Sequence, residues 1–172
     1  YMPATDAATG RATYFSKYDI VRDDYRAVMA SCALPGFCRP VKVGDRYYYD
    51  GGVADSIPLH HAIEQGCTKM VVILSNPRNF VKKPEAHRPL YKHMLHKYPK
   101  TIQSIDNRHI NYQASIDLAS RLEKEGYVFI FAPSRHMPLS TFSKDAALEQ
   151  DLYDLGVADY EARAEELKYF LN

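Results

Sequence analysis

The sequence predicts an α/β fold, a layered arrangement of strands separated by helices with at least partly parallel pairing. Three stretches predict it. Lys69 to Ser75 holds an unbroken apolar run, Met70-Val71-Val72-Ile73-Leu74, of strand length and without alternation. That pattern fits a strand buried on both faces, as in a parallel sheet. Thr101 to Glu125 places Ile102, Ile105, His109, Tyr112, Ile116, Ala119 and Leu122 three and four residues apart, an amphipathic helix with Gly126 as its carboxyl cap. Tyr127 to Ala132 then reads as a second buried strand, stopped by Pro133.

The remaining elements follow from local chemistry. Thr5 to Thr9, closed by Gly10, reads as a turn, and Arg11 to Lys17 as a strand carrying Thr13, Tyr14 and Phe15. Asp23 and Asp24 can cap a short helix through Tyr25, Val28, Met29 and Cys32, which Pro35-Gly36 ends. Val41 to Tyr49 reads as a hairpin around Gly44-Asp45. After Asp50-Gly51-Gly52 comes a loop with Asp55 and Ser56, and Pro58 suits the first position of a helix that stops at Gly66. Arg78 to Lys100 contains three prolines and reads as a peripheral excursion with one short helix. Asp145 to Asn172 reads as two helical segments around Gly156, acidic on the outer face.

Composition bounds the function. A chain of 172 residues fits one domain with a sizeable core. Lys and Arg total 22 against 21 Asp and Glu, so net charge selects no partner, and no nucleic-acid module accompanies the basic stretch. Cys32, Cys38 and Cys67 lack CxxC spacing and histidine neighbours; buried or half-buried free thiols in a reducing cytoplasm are expected. No apolar run approaches the roughly 20 residues of a spanning helix, and the amino end carries no signal-peptide pattern. The chain opens Tyr1-Met2-Pro3-Ala4 and enters directly into structured sequence, so we expect a piece of a longer protein.

Asp50-Gly51-Gly52 is the stretch richest in chemistry. It sets a carboxylate at the end of a strand, followed by two residues free to take any backbone conformation, so an acid can approach a reacting group closely. Alone, Asp-Gly is also an ordinary turn dipeptide. Its neighbours distinguish it: Thr5-Asp6-x-x-Thr9-Gly10, Ala30-Ser31-Cys32-Ala33-Leu34-Pro35, Phe37-x-x-Pro40, and Tyr49-Asp50-Gly51-Gly52 followed by Ile57-Pro58. In that order they resemble patatin-like phospholipases, serine acyl hydrolases with a Ser–Asp dyad. Val72-Ile73-Leu74-Ser75-Asn76-Pro77, Lys82-Lys83-Pro84 and Leu122-Glu123-Lys124-Glu125-Gly126 resemble a bacterial branch of that family.

The resemblance implies a three-layer α/β/α sandwich with a mostly parallel central sheet, lacking its amino-terminal part. Residues 1–172 would be the carboxyl-terminal portion of one such domain, with an α/β core to about residue 135, the basic excursion at 78–100 and an acidic helical tail at 136–172. It makes Asp50 the dyad aspartate and Gly51 and Gly52 its structural support. It implies a lipid or ester substrate and no cofactor. With the nucleophile strand missing, the remaining sheet would expose an apolar edge, so the chain is expected to associate with its missing half, pair with a copy of itself, or fold poorly. The family's Gly-x-Ser-x-Gly elbow and glycine-rich oxyanion loop do not occur in this chain, so nucleophile and oxyanion hole are expected outside it. A carboxylate can take a serine proton directly when partial desolvation makes it more basic, and Tyr47-Tyr48-Tyr49 could shield one side of Asp50.

Competing sites carry less. His60 and His61 would point about 100° apart on a helix, so at most one could face Asp50. Ser31 and Ser56 lack elbow glycines and suit hydrogen-bonding or capping roles. Asp6 and Asp55 have no partner spacing for a metal and suit turns or caps. The basic stretch Arg78 to His109 reads first as a solvated face that can pair with the acidic tail; with Leu90, Met94 and Leu95 it could instead lie on anionic lipid, and the alternative to a hydrolase is a non-catalytic module that binds an anionic membrane surface or a partner protein.

Overall fold

The computed structural model describes residues 1–138 and 144–172; residues 139–143 of the expected acidic tail lie outside them. In chain order the elements are β1 (Met2–Asp6), β2 (Ala12–Phe15), α1 (Arg26–Ser31), β3 (Val41–Val43), β4 (Arg46–Asp50), α2 (Leu59–Glu64), β5 (Met70–Ile73), α3 (Arg88–Met94), α4 (Pro99–Lys124), β6 (Val128–Phe131) and α5 (Ala146–Leu171), with single 3-10 turns at Lys17–Asp19 and Gly51–Val53. The chain divides into two compact units. One comprises residues 1–58 and 82–116, the other residues 59–81 and 117–172.

The first unit is built on a four-stranded sheet of order β2-β1-β4-β3. Every pairing in it is antiparallel. The hairpin expected around Gly44-Asp45 is there as β3 and β4, with Gly44 at φ +58°. Thr5 and Asp6, read as the start of a turn, instead end strand β1, which pairs Ala4 with Asp50, Thr5 with Tyr49 and Asp6 with Tyr48. The turn comes one step later: Asp6 Oδ1 accepts the backbone N–H of Ala8 at 3.0 Å and of Thr9 at 2.8 Å. Met2-Pro3-Ala4 has little strand propensity of its own, so β1 exists because two neighbours pair with it.

Successive strand residues face opposite sides, and Tyr48 and Tyr49 divide accordingly. Tyr48 meets Phe15 edge-on at 5.1 Å and joins Ala4, Ala27 and Ala30, so α1 packs on that face. Tyr49 joins Ala7, Val53, Leu95, Ile102 and Ile105, with the Tyr98 ring at 5.8 Å, so the first part of α4 covers the other face. Polar anchors fix this helix: Thr101 Oγ1 donates to Ala7 O at 2.8 Å and Ser104 Oγ to Gly10 O at 2.7 Å. Gly10 is required there, at φ +69° and with a Cβ position only 2.5 Å from Lys100 O.

The second unit holds the parallel pair, β5 with β6, in register from Met70–Val128 to Ile73–Phe131. Helix α5 packs on β6 through Phe170 against Phe129 and Tyr160 against Phe131. Arg163 lies 4.3 Å from the Phe129 ring and donates to Ile130 O at 2.7 Å.

Several expectations are corrected. Among the described residues the mostly parallel central sheet is not found: the one parallel strand pair described is β5 with β6, and the larger sheet is antiparallel. Strand β5 is buried on one face only, since Val71 is 40% and Ile73 79% exposed while Val72 and Leu74 are buried. Its apolar run reports what the residues can bury, not what covers them. Gly156 does not divide the tail. Asp145 caps α5 through the N–H groups of Ala147 and Leu148, and the helix continues through the glycine, whose cost of about 1 kcal/mol a long packed helix absorbs. The three cysteines are free but exposed; they sit at a helix end and in loops, where packing is thin. Among the described residues no helix is long and apolar enough to cross a membrane.

Candidate active site

Asp50 ends β4 and caps the 3-10 turn Gly51–Val53, its Oδ1 accepting the Gly52 N–H at 2.7 Å. Among the described residues its other carboxylate oxygen accepts no hydrogen bond. The backbone around it is tied at each step. Asp50 N–H donates to Ala33 O at 2.9 Å, joining it to the segment after α1. Thr5 Oγ1 donates to Asp50 O at 2.7 Å and accepts the Ala54 N–H at 3.2 Å. The carboxylate is thus held through one oxygen and its own main chain.

Neither glycine of the motif has a positive φ. Gly51 is needed for contact instead: a Cβ there would lie 2.1 Å from Pro3 O, so any side chain would collide with β1. A Cβ on Gly52 would sit 3.1 Å from Asp50 Oδ1 and 3.4 Å from Arg108 Nη2, between the acid and a guanidinium. The carbonyl of Gly52 receives two donors, Ser56 Oγ at 2.7 Å and Arg108 Nε at 2.6 Å.

The other candidates have structural partners. Ser31 Oγ donates to Pro3 O at 2.7 Å. Asp6 is buried, caps its turn and pairs with Arg46 at 2.9 Å. Burial pushes its carboxyl up, but hydrogen bonds from Thr9, Arg46 and Ala8 outweigh this and hold it below the usual carboxylate value. Asp55 accepts from the Tyr14 hydroxyl. His61, on α2, has Nδ1 at 3.9 Å from Glu64 Oε2. Tyr48 and Tyr49 are committed to the two cores and Tyr47 is exposed. In the basic stretch, Arg88 pairs with Asp106 at 2.7 Å, and Arg108 and Lys82 share Glu85, both carboxylates within the stretch, while Arg78 pairs with Glu123 beyond it at 2.6 Å.

Sequence reasoning missed Arg108. A signal was present: counting from Ile102 and Ile105, Arg108 falls in phase with the buried stripe, where a cation needs a reason to be.

A strand-end aspartate on a glycine turn, in a mixed helix and strand fold, is an arrangement fit for proton transfer. Residues 5–63 match the family model of patatin-like phospholipases, which are lipid hydrolases. Residues 98–172 match a second model, a domain of unknown function (DUF6363). A protein of Escherichia coli (strain K12), the uncharacterized protein YjjU, is 30% identical over 135 residues, covering 75% of this chain. The matched chain spans 37% of that relative's length.

Proposed function

We propose that this chain supplies the aspartate of a Ser–Asp acyl hydrolase acting on lipid or other carboxylic esters, with the serine and oxyanion donors contributed from outside it. The carrying observation is Asp50, held at a strand end through one oxygen on a turn that excludes side chains, inside the stretch similar to patatin-like phospholipases. In this mechanism Asp50 takes the serine proton as the serine oxygen bonds to the ester carbonyl. The proton passes to the departing alcohol, leaving an acyl-enzyme. Asp50 then takes a proton from water, whose oxygen attacks the acyl carbon; the serine recovers a proton and the acid leaves. Neither step needs a cofactor. The complete fold in this reading is a three-layer α/β/α sandwich of bacterial patatin-like type, cytoplasmic and at most peripheral to membrane, and these 172 residues alone are inactive. The full-length protein should hydrolyse short p-nitrophenyl esters and lose the activity, by about a thousandfold or more, in Asp50→Asn. Turnover that survives the substitution removes Asp50 from the mechanism.

A second reading, a module that docks on anionic membrane, rests on α3. Leu90 and Met94 on this helix are 60% and 49% exposed, beside Lys92. Co-sedimentation with anionic vesicles should then fall in a Leu90→Glu, Met94→Glu double variant and with rising salt. Equal sedimentation with neutral vesicles, or none with either, sinks it.

A further inference from the structure

Arg108 has one guanidinium shared between two tasks. Its Nε donates to Gly52 O at 2.6 Å and its Nη1 pairs with Glu85 at 3.0 Å, while Nη2 lies 3.4 Å from where a Gly52 Cβ would stand, a point 3.1 Å from Asp50 Oδ1. The group is 29% exposed, so water competes with these bonds only in part. Gly52 is also the residue whose N–H orients Asp50. One residue therefore joins the acid to Arg108: the Gly52 N–H holds the carboxylate and the Gly52 carbonyl is held by the guanidinium. Helix α4 carries Arg108 at a fixed height, because Thr101 and Ser104 on the same helix are bonded to the carbonyls of Ala7 and Gly10.

From this geometry we infer that Arg108 is a positioning residue for the dyad aspartate, and that the segment matching a domain of unknown function contributes, through the first part of α4, the clamp that orients the Asp-Gly-Gly turn. The planar fork suits this role, since it bonds a carbonyl and a carboxylate at once in fixed directions, which an ammonium cannot reproduce. Glu85 prevents the guanidinium from turning toward Asp50 and pairing with it, which would occupy the oxygen that must accept the proton.

The inference rests on the dyad reading above, and the test separates the two. Ester hydrolysis by the full-length protein is compared for the parent, Asp50→Asn, Arg108→Gln, Arg108→Lys and Arg88→Gln. Arg88→Gln removes the ion pair of Arg88, on α3, with Asp106 on α4, and controls for loss of α4 anchoring. Arg108→Gln should lower kcat by about ten- to a hundredfold with KM within about twofold, since a small misplacement of a reacting group acts on the chemical step. Arg108→Lys should recover part of the loss. Arg88→Gln should keep the parent kcat per folded molecule. If Asp50→Asn is dead while both Arg108 variants turn over like the parent, the clamp is wrong and the dyad stands. If Asp50→Asn stays active, the dyad fails and takes the clamp with it. Should Arg108→Gln not fold, Arg108→Lys alone decides, a parent-like kcat overturning the inference.

Discussion

Gly51 shows why a residue can be fixed by contact and not by dihedral angles. The motif suggested glycines chosen for unusual φ, yet neither adopts one. What forbids a side chain at Gly51 is the Pro3 carbonyl, 2.1 Å from where a Cβ would stand. Gly44 is the opposite case: φ is +58° and nothing lies within 4 Å. Gly51→Ala should therefore cost more stability than Gly44→Ala, about 3 kcal/mol or more against about 1 kcal/mol, read from urea midpoints. Equal losses would mean that β1 yields easily and that the turn is not wedged. Asp50 was legible because its strand, its acid and its glycines are consecutive. Arg108 was not, because its partner lies 56 residues earlier and no local pattern names it.

Elements were legible where a local signal dictates them. The β3–β4 hairpin, the short helix α1 and the closure of α4 at Gly126, φ +81°, follow from turn residues and periodicity. Strand β1 escaped notice because its sequence is a poor strand former and its stability comes from β2 and β4 on either side. The apolar run of β5 predicted a strand correctly but overstated its burial, since Ile73 is 79% exposed. Helix α5 shows the converse error. A glycine that breaks a marginal helix does not break one capped by Asp145 and packed through Tyr160 and Phe170.

For the whole molecule, three paired acids are expected to bear on stability in acid. The Arg88 hydrogen bonds hold Asp106 below its usual value, those of Arg78 do the same for Glu123, and Asp6 is lowered by its turn and Arg46. For a carboxyl whose folded value is depressed, the unfolded chain binds protons first on acidification. The stabilisation is then complete above the ordinary values of 3.8 and 4.5 and is lost as pH falls through the lower folded values. Urea midpoints should stay level from pH 7 to about 5 and drop below about 4.5, with a shallower drop in Asp106→Asn. A midpoint that begins to fall near neutrality would assign acid sensitivity to other groups.

The sequence by itself determined the mixed α/β character, most helix and hairpin positions, and Asp50 as the acid to examine, because each is written in neighbouring residues. Only the tertiary structure decided that the larger sheet is antiparallel, that Gly51 is held by contact with Pro3, and that Arg108 grips the Gly52 carbonyl. Those facts depend on which distant segments pair, and pairing is selected by the burial and hydrogen bonding of the assembled chain, which no local window contains.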